Sequence, residues 1–316
     1  MKFRTEIHIT EPPFRIHHRD KITVLGSCFA VHMGEWLRRH WWNVDVNPFG
    51  NVYNPVSWLE LLERSFEERP PQDDEVFVHN GQWKSLLLPS RFNTLEKAEY
   101  LRQAARLFRQ VRRRLQQTDV LILTYGTAQV FRHTATGKVV VNCNKIPSEL
   151  CRRDMLSIEQ MNQAIGRSID LLRKLNPEVR IILTLSPVRY LHDGLTANAR
   201  SKARLLESIL QQTEQYENVI YFPAYEIFMD DLRDYRFYGP DLKQPGEQGI
   251  NYTIEKFSEA FFSDETSQLC KRIAKLRAGI LHRSIVQNPE NHHQKIRDEI
   301  TKLLNRHPFL KPDIEI

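Results

Sequence analysis

Five short apolar runs rich in β-branched residues recur along the chain, at Ile22–Gly26, Val44–Val46, Val120–Thr124, Arg180–Leu185 and Val219–Phe222. Runs of this length and composition read as buried strands. Between them, Ala30–His40, Val56–Arg69, Leu95–Gln117, Ser157–Leu175 and Ala197–Gln215 place apolar residues at a helical period, which predicts amphipathic helices. Thr94 and Ser157 stand where N-caps are expected. Strand and helix alternating in this way require right-handed crossovers, hence a parallel sheet covered on both faces. The expected fold is an α/β domain with a parallel sheet of about five strands between helical layers, over residues 1–262. Helical patterns continue from Ser263, so residues 263–316 are expected as a helical C-terminal extension of the same domain, ending in an extended tail at His307–Pro312. The polar segments Pro70–Asp74 and Asn288–His293 are expected to be loops or a boundary.

Composition narrows the class. The chain has 316 residues, 41% hydrophobic and 27% charged, enough for a sizeable core and without the bias of a disordered chain. Its longest apolar run is far short of a membrane span, and the opening MKFRTEIHITEPPFRIHH lacks the apolar core of a secretory signal. Cys28, Cys143, Cys151 and Cys270 form no CxxC pair and no Cys/His cluster at zinc spacing. The expectation is a reduced, cytoplasmic protein of enzyme size, with no metal, no organic cofactor and no membrane partner. The net charge of +6 suggests nucleic acid at first sight. Much of it sits in Lys97–Gln117, however, where Leu101, Ala104, Phe108, Val111 and Leu115 take one helical face and leave the arginines to a solvated surface. No nucleic-acid partner is expected. His17 and His18 read as solvated charge.

In a parallel sheet the ligand lies beyond the carboxyl ends of the strands, so the residues at those ends bear on function. The first strand runs into Gly26-Ser27-Cys28-Phe29-Ala30 and then a helix. Two potential nucleophiles thus meet a helix N-terminus, where free amides and the macrodipole favour negative charge. The turn is neither a phosphate loop nor the G-x-S-x-G elbow. Taken alone, Ser27 also reads as an N-cap and Cys28 as a small buried hydrophobe. The second strand is followed by Asn47-Pro48-Phe49-Gly50-Asn51-Val52-Tyr53-Asn54-Pro55, the third by Gly126-Thr127-Ala128, and the fourth by Ser186-Pro187-Val188-Arg189. Four successive strands therefore end in small or hydrogen-bonding residues.

Gly26-Ser27-Cys28-Phe29-Ala30 spells the motif for which the GSCFA family is named, and the chain resembles that family well beyond it. The likeness continues through Asn47–Pro55, Gly126-Thr127-Ala128, Val141-Asn142-Cys143-Asn144-Lys145 and Ser186-Pro187-Val188-Arg189. It goes on to Asp193-Gly194, Asn198, Ser201-Lys202-Ala203, Tyr221–Ile227 and Asp231–Tyr238. The family in turn resembles the SGNH/GDSL hydrolases, which implies a flavodoxin-like three-layer α/β/α sandwich; in that superfamily the nucleophile follows the first strand, loops supply oxyanion donors and the base comes from a late Asp-x-x-His. The resemblance implies an ester-bond hydrolase or acyl transferase. Its substrate would be a small-molecule or carbohydrate acyl ester. Aligning Gly-Asp-Ser on Gly26-Ser27-Cys28 makes Cys28 the nucleophile, and the alternative alignment makes it Ser27. The amide after Cys28, the amide of Gly50 and Asn142 are expected as oxyanion donors, with Gly126 and Lys145 also at the substrate.

The chain departs from the pattern at the base. Asp241-Leu242-Lys243-Gln244-Pro245 carries Gln244 where the family usually has His; Asn144 and Tyr190 also stand where His is common. Glutamine cannot take and return a proton at neutral pH, and removing one member of a triad removes most of its rate. A serine nucleophile suffers most from this; a thiol at a helix N-terminus depends less on a partner. His192 is the best substitute base and His133 the next. Arg189 and Lys202 either bind a substrate carboxylate or phosphate or pair with Glu226, Asp230 and Asp231. The alternative function is a lapsed family member that binds a ligand or regulates without turnover.

Overall fold

The computed structural model describes residues 4–281 and 289–314. Strand β1 (Ile22–Gly26) leads into α1 (Cys28–Arg39), and β2 (Val44–Val46) into α2 (Pro55–Phe66). A hairpin of β3 (Val76–His79) and β4 (Gln82–Ser85) precedes α3 (Lys97–Gln116). After β5 (Val120–Tyr125) come three short strands, β6 (Gln129–His133), β7 (Val139–Val140) and β8 (Cys151–Met155). Next along the chain are α4 (Ile158–Leu175), β9 (Arg180–Leu185), α5 (Gly194–Gln215) and β10 (Val219–Phe222). The chain continues through α6 (Ala224–Glu226), a π-helical stretch at Ile227–Leu232, α7 (Glu247–Phe261), α8 (Asp264–Leu281) and α9 (Pro289–Arg306).

The five expected strands form one parallel sheet in the order β10-β9-β5-β1-β2. In chain order of the sheet strands this is the flavodoxin-like 2-1-3-4-5 arrangement, whose direction of winding reverses between β1 and β5. Alternate residues divide between the faces, as the strand period requires. Leu25, Leu121, Leu123, Ile181 and Leu183 pack under α2, α3, α4 and α5. Val24, Ile122 and Ile182 pack under α1 and α7. Gly26 has φ +137°, and a Cβ there would lie 2.2 Å from the Thr124 carbonyl oxygen, so β1 can leave the sheet beside β5 only through glycine.

The C-terminal helices are present, and they join the body through Trp41. That fully buried ring packs with Leu269, Ile273, Leu276, Ile300, Leu303 and Leu310, while the tail amide of Lys311 donates to the Trp41 carbonyl at 2.7 Å. Pro289–His293 belongs to α9 rather than to a loop, and Asn288 lies outside the described residues. Pro70–Asp74 is a loop between α2 and β3.

Two local expectations need correcting. Thr94 does not cap α3: its hydroxyl donates to the Glu96 carbonyl at 2.8 Å, and the helix begins three residues later, at Lys97, without a side-chain cap. Ser157 does cap α4, with the reciprocal bond from Gln160. His18 is not solvated charge. It is buried and stacked on Trp42 at 4.3 Å, and burial pushes its pKa down to about 3. Among the described residues, no helix is long and apolar enough to cross a membrane.

Candidate functional site

The carboxyl ends of β1, β2, β5 and β9 meet at the reversal point of the sheet, and two residue sets hold them there. Asn47, at φ +44°, accepts the Gly26 amide at 2.8 Å and donates both to the Gly26 carbonyl, at 3.2 Å, and to Asn51 Oδ1, at 2.9 Å. This clamps the loop after β2 onto the end of β1. On the other side, α5 presents Asn198, Ser201 and Lys202. Asn198 accepts the Tyr190 amide at 2.9 Å, and Ser201 accepts the Ala128 amide at 2.7 Å. Lys202 Nζ donates to the Gly126 carbonyl at 2.7 Å and to the Ser186 carbonyl at 2.5 Å, fastening the ends of β5 and β9 together.

Within this frame the two possible nucleophiles part company. Ser27 is fully buried, and its hydroxyl has no hydrogen-bond partner among the described residues. It occupies the N-cap position of α1 without capping it. Gly126 presses on it, since a Cβ there would lie 3.4 Å from the Ser27 Cβ and 2.8 Å from the Tyr190 hydroxyl. Cys28 opens α1 and is half-buried. Asn51 Nδ2 donates toward its sulfur at 3.5 Å. The bond from Asn47 to Asn51 Oδ1 fixes the Asn51 amide in the orientation that turns its N–H groups to the thiol. The Tyr53 hydroxyl also faces Cys28; burial first, and then the sulfur beside it, push its pKa up to about 12. Tyr190 meets Tyr53 edge-on at 5.6 Å. Burial, with Tyr53 and Cys28 nearby, raises the Tyr190 hydroxyl well above its ordinary range, and that hydroxyl too lacks a partner among the described residues. The thiol is therefore surrounded by an amide and protonated phenols.

Asn51, Tyr53 and Tyr190, the neighbours of Cys28, line a cavity of about 480 Å³ whose wall also includes Val140, Asn142 and Phe131 but not Cys28 itself. That volume is in the range of small-molecule sites. Arg153, Arg189 and His192 also line it. Arg189 lies over the Tyr238 and Tyr235 rings at 5.0 and 5.8 Å and forms no ion pair among the described residues. The pairing expected with Glu226, Asp230 or Asp231 is absent from it and from Lys202, whose partners are the two carbonyls. Nor is Lys202 exposed for a substrate anion, being wholly enclosed.

The remaining expected site residues take different places. The Gly50 amide donates to the Asn47 carbonyl at 2.8 Å and so serves its own loop rather than an oxyanion. Gly126 donates its amide to the Tyr53 carbonyl at 2.7 Å. Asn142 lines the cavity, with its Oδ1 accepting the Asn144 amide at 3.0 Å. Asn144 is a buried clamp on the Ser85 and Leu88 carbonyls, at 2.9 Å each. Lys145 lies outside the cavity wall. Asp241 is exposed; the Gln244 and Lys243 amides donate to its carboxylate at 3.0 Å each and hold it below the usual carboxylate range. Gln244 is exposed as well, and neither side chain lines the cavity. The His192 side chain is 74% exposed, and its ring nitrogens face Arg153, with Nη2 to Nε2 at 2.7 Å. An imidazole engaged in that way is not free to serve Cys28. His133 lines a separate cavity. Among the described residues, no group of three or more His, Cys, Asp or Glu side chains gathers as a metal site would require. The amides of Cys28 and Phe29, at the start of α1, have no protein acceptor among the described residues.

The model of the GSCFA family matches residues 21–257, from the residue before β1 into α7. The chain belongs to the GSCFA family. The GSCFA region takes in every residue that lines the cavity beside Cys28. Among solved structures, the GSCFA chain is similar to a carbohydrate esterase family 3 protein from Talaromyces cellulolyticus, at 10% identity and a TM-score of 0.29, over 52% of this chain and 65% of that one. It is also similar to an acetyl xylan esterase from Butyrivibrio proteoclasticus, at 16% identity and a TM-score of 0.27, over 45% of this chain and 36% of that one. A third likeness is to a mutant acetyl esterase with an acetate ion, at 10% identity and a TM-score of 0.27, over 49% of this chain and 60% of that one. In each case the aligned part spans less than two thirds of the other chain. No curated protein matches the sequence.

Proposed function

We propose that this GSCFA protein is an SGNH-type acyl-transfer enzyme, a hydrolase or acyl transferase acting on ester bonds, with Cys28 as its nucleophile. One observation carries the reading: a half-buried thiol opens α1, with Asn51 Nδ2 at 3.5 Å and the Tyr53 hydroxyl against it, beside a cavity of about 480 Å³. Attack forms an Sγ–C bond at the acyl carbonyl. The oxygen that becomes negative is met by the free amides of Cys28 and Phe29, and each such donor is worth about 2.7–4 kcal/mol in other enzymes. Collapse breaks the C–O bond. The proton lost by the thiol reaches the departing alcohol oxygen through the Tyr53 hydroxyl, which stays protonated at neutral pH. The thioester that remains is released to water or to an acceptor hydroxyl. Arg189, without a carboxylate partner, holds an anionic group of the substrate.

The test is turnover of short-chain p-nitrophenyl esters and of an acyl thioester by the purified protein. Cys28→Ala should abolish turnover, while Ser27→Ala should keep it. Turnover that survives Cys28→Ala refutes the assignment of the nucleophile. A second reading has its own support: the position where the family usually has His is the exposed Gln244, outside the cavity wall. On that reading the protein binds an acyl ligand without turning it over. No activity in the wild type, with activity appearing in Gln244→His, would favour it.

A further inference from the structure

We infer that the large cavity beside the Cys28 site takes an aliphatic acyl chain, so that the substrate is a medium- or long-chain acyl ester rather than an acetyl ester. The inference rests on the acyl-transfer reading of Cys28.

The second cavity, of about 740 Å³, lies between α2, the β3–β4 hairpin and the small sheet of β6, β7 and β8. It adjoins the first along a seam. Val140 and Val141 line both cavities. Asn54, in the wall of the first, caps α2 through the Ser57 amide at 2.8 Å, and Ser57 lines the second. Asn142, in the first, donates its amide to the carbonyl of Leu86, in the second, at 2.9 Å. The two cavities therefore adjoin across Val140 and Val141, and the space nearest Asn51 and Tyr53 has an apolar neighbour.

The chemistry of the second cavity favours hydrocarbon. Val56, Phe77, Leu86, Leu87, Val139 and Ile146 supply its apolar wall. Both of its arginines are already neutralised, Arg64 by Glu60 and Glu75 and Arg132 by Asp154 at 2.7 Å, and its one lysine, Lys138, is exposed. A polyanionic or sugar ligand would have to compete with those pairs, whereas a methylene chain needs none of them. Size points the same way. A water molecule takes about 30 Å³, and an acetyl group is only a few times larger, far less than this space. Filling it with methylenes gains by the burial of apolar surface.

The experiment is a chain-length series of p-nitrophenyl esters from acetate to decanoate with the wild-type protein, alongside Val139→Trp and Ile146→Trp, which narrow the second cavity. Each methylene that enters should raise kcat/KM about fourfold until the cavity is filled. The ratio of decanoate to acetate kcat/KM should fall at least tenfold in both variants; using the ratio removes any loss of folded protein from the comparison. Binding of free decanoate to Cys28→Ala, measured by calorimetry, reads the cavity without turnover. Turnover with a flat chain-length profile overturns this inference and leaves the acyl-transfer reading standing. Decanoate binding that is lost in Cys28→Ala/Val139→Trp, in a protein with no turnover, supports the chain cavity while removing the catalytic reading. Absence of both turnover and decanoate binding overturns the two together.

Discussion

Replacing Lys202 with Met should change the way stability depends on pH. The Lys202 amine is 2% exposed, and burial alone pushes its pKa from 10.5 down to about 7. A neutral amine carries two N–H bonds, and the structure offers it two acceptors, the Gly126 and Ser186 carbonyls. The third hydrogen of an ammonium has no carboxylate to meet among the described residues. In the unfolded chain Lys202 holds its proton up to its ordinary pKa near 10.5, whereas the folded protein releases it near 7. Between those limits the unfolded state binds more protons, so stability rises with pH. The slope for one proton is about 1.4 kcal/mol per pH unit. From pH 7.5 to 9, Lys202 should therefore add about 2 kcal/mol to the free energy of unfolding; below pH 7 its contribution is flat.

The assay is the urea midpoint of wild type and Lys202→Met at pH 6.5, 7.5, 8.25 and 9, converted with a common m-value. Burial raises the pKa of Cys143 to about 11 and of Cys270 to about 12, which works in the opposite direction once unfolded thiols ionise. Both proteins share those groups, so the difference between their curves isolates Lys202. The difference should grow with pH in favour of the wild type. Parallel curves would refute the reasoning and show that the amine keeps its proton in the fold.

Three other outcomes come from close contacts at the same rim and from one helix start. Tyr190→Phe removes a buried hydroxyl with no partner among the described residues and should be neutral or stabilising in thermal unfolding. Gly126→Ala places a methyl 2.8 Å from that hydroxyl and should cost about 1–3 kcal/mol; combined with Tyr190→Phe, most of the loss should return, and a purely additive double mutant would contradict the contact. Ser157→Ala breaks the capping box at the start of α4 and should cost about 1 kcal/mol by urea denaturation.

The sheet was legible because its central strands are buried on both faces. All of β1 and β5 is buried, so each reads as an unbroken run that no surface element would carry. The hairpin and the small sheet were not legible for the opposite reason. Gln82-Trp83-Lys84-Ser85 and Cys151-Arg152-Arg153-Asp154-Met155 carry polar residues on short strands, with no run and no clean alternation to mark them. Yet the small sheet lines both cavities and Phe77 of the hairpin lines the larger one, so their volume was hidden with them. Lys202 had a usable signal. Asn198, Ser201, Lys202, Leu205, Ile209 and Gln212 are all buried on one face of α5, and their spacing is helical. A lysine on the same stripe as Leu205 and Ile209 is more simply read as enclosed than as a ligand for anions.

The choice between Ser27 and Cys28 needed the turn itself. Gly26 leaves β1 at φ +137°, a conformation that L side chains rarely adopt, and this sets the direction of the next residue toward Gly126 and Tyr190. Cys28, as the first residue of α1, points toward Asn51 and Tyr53 instead. Neighbouring positions at a strand-to-helix turn thus face different surroundings, and one step of alignment decides which of them stands at the proposed nucleophile position. The surroundings of the sulfur differ most from what the sequence pattern suggests. An expectation built on imidazole looks to Gln244 or His192, but the groups set against the sulfur are Asn51 and Tyr53, which lie in the loop after β2 and are held there by Asn47. That loop was visible in the sequence as a shaped turn. Its left-handed Asn47, which bonds both polar groups of Gly26 and orients Asn51, is what makes the shaped loop one wall of the cavity beside Cys28.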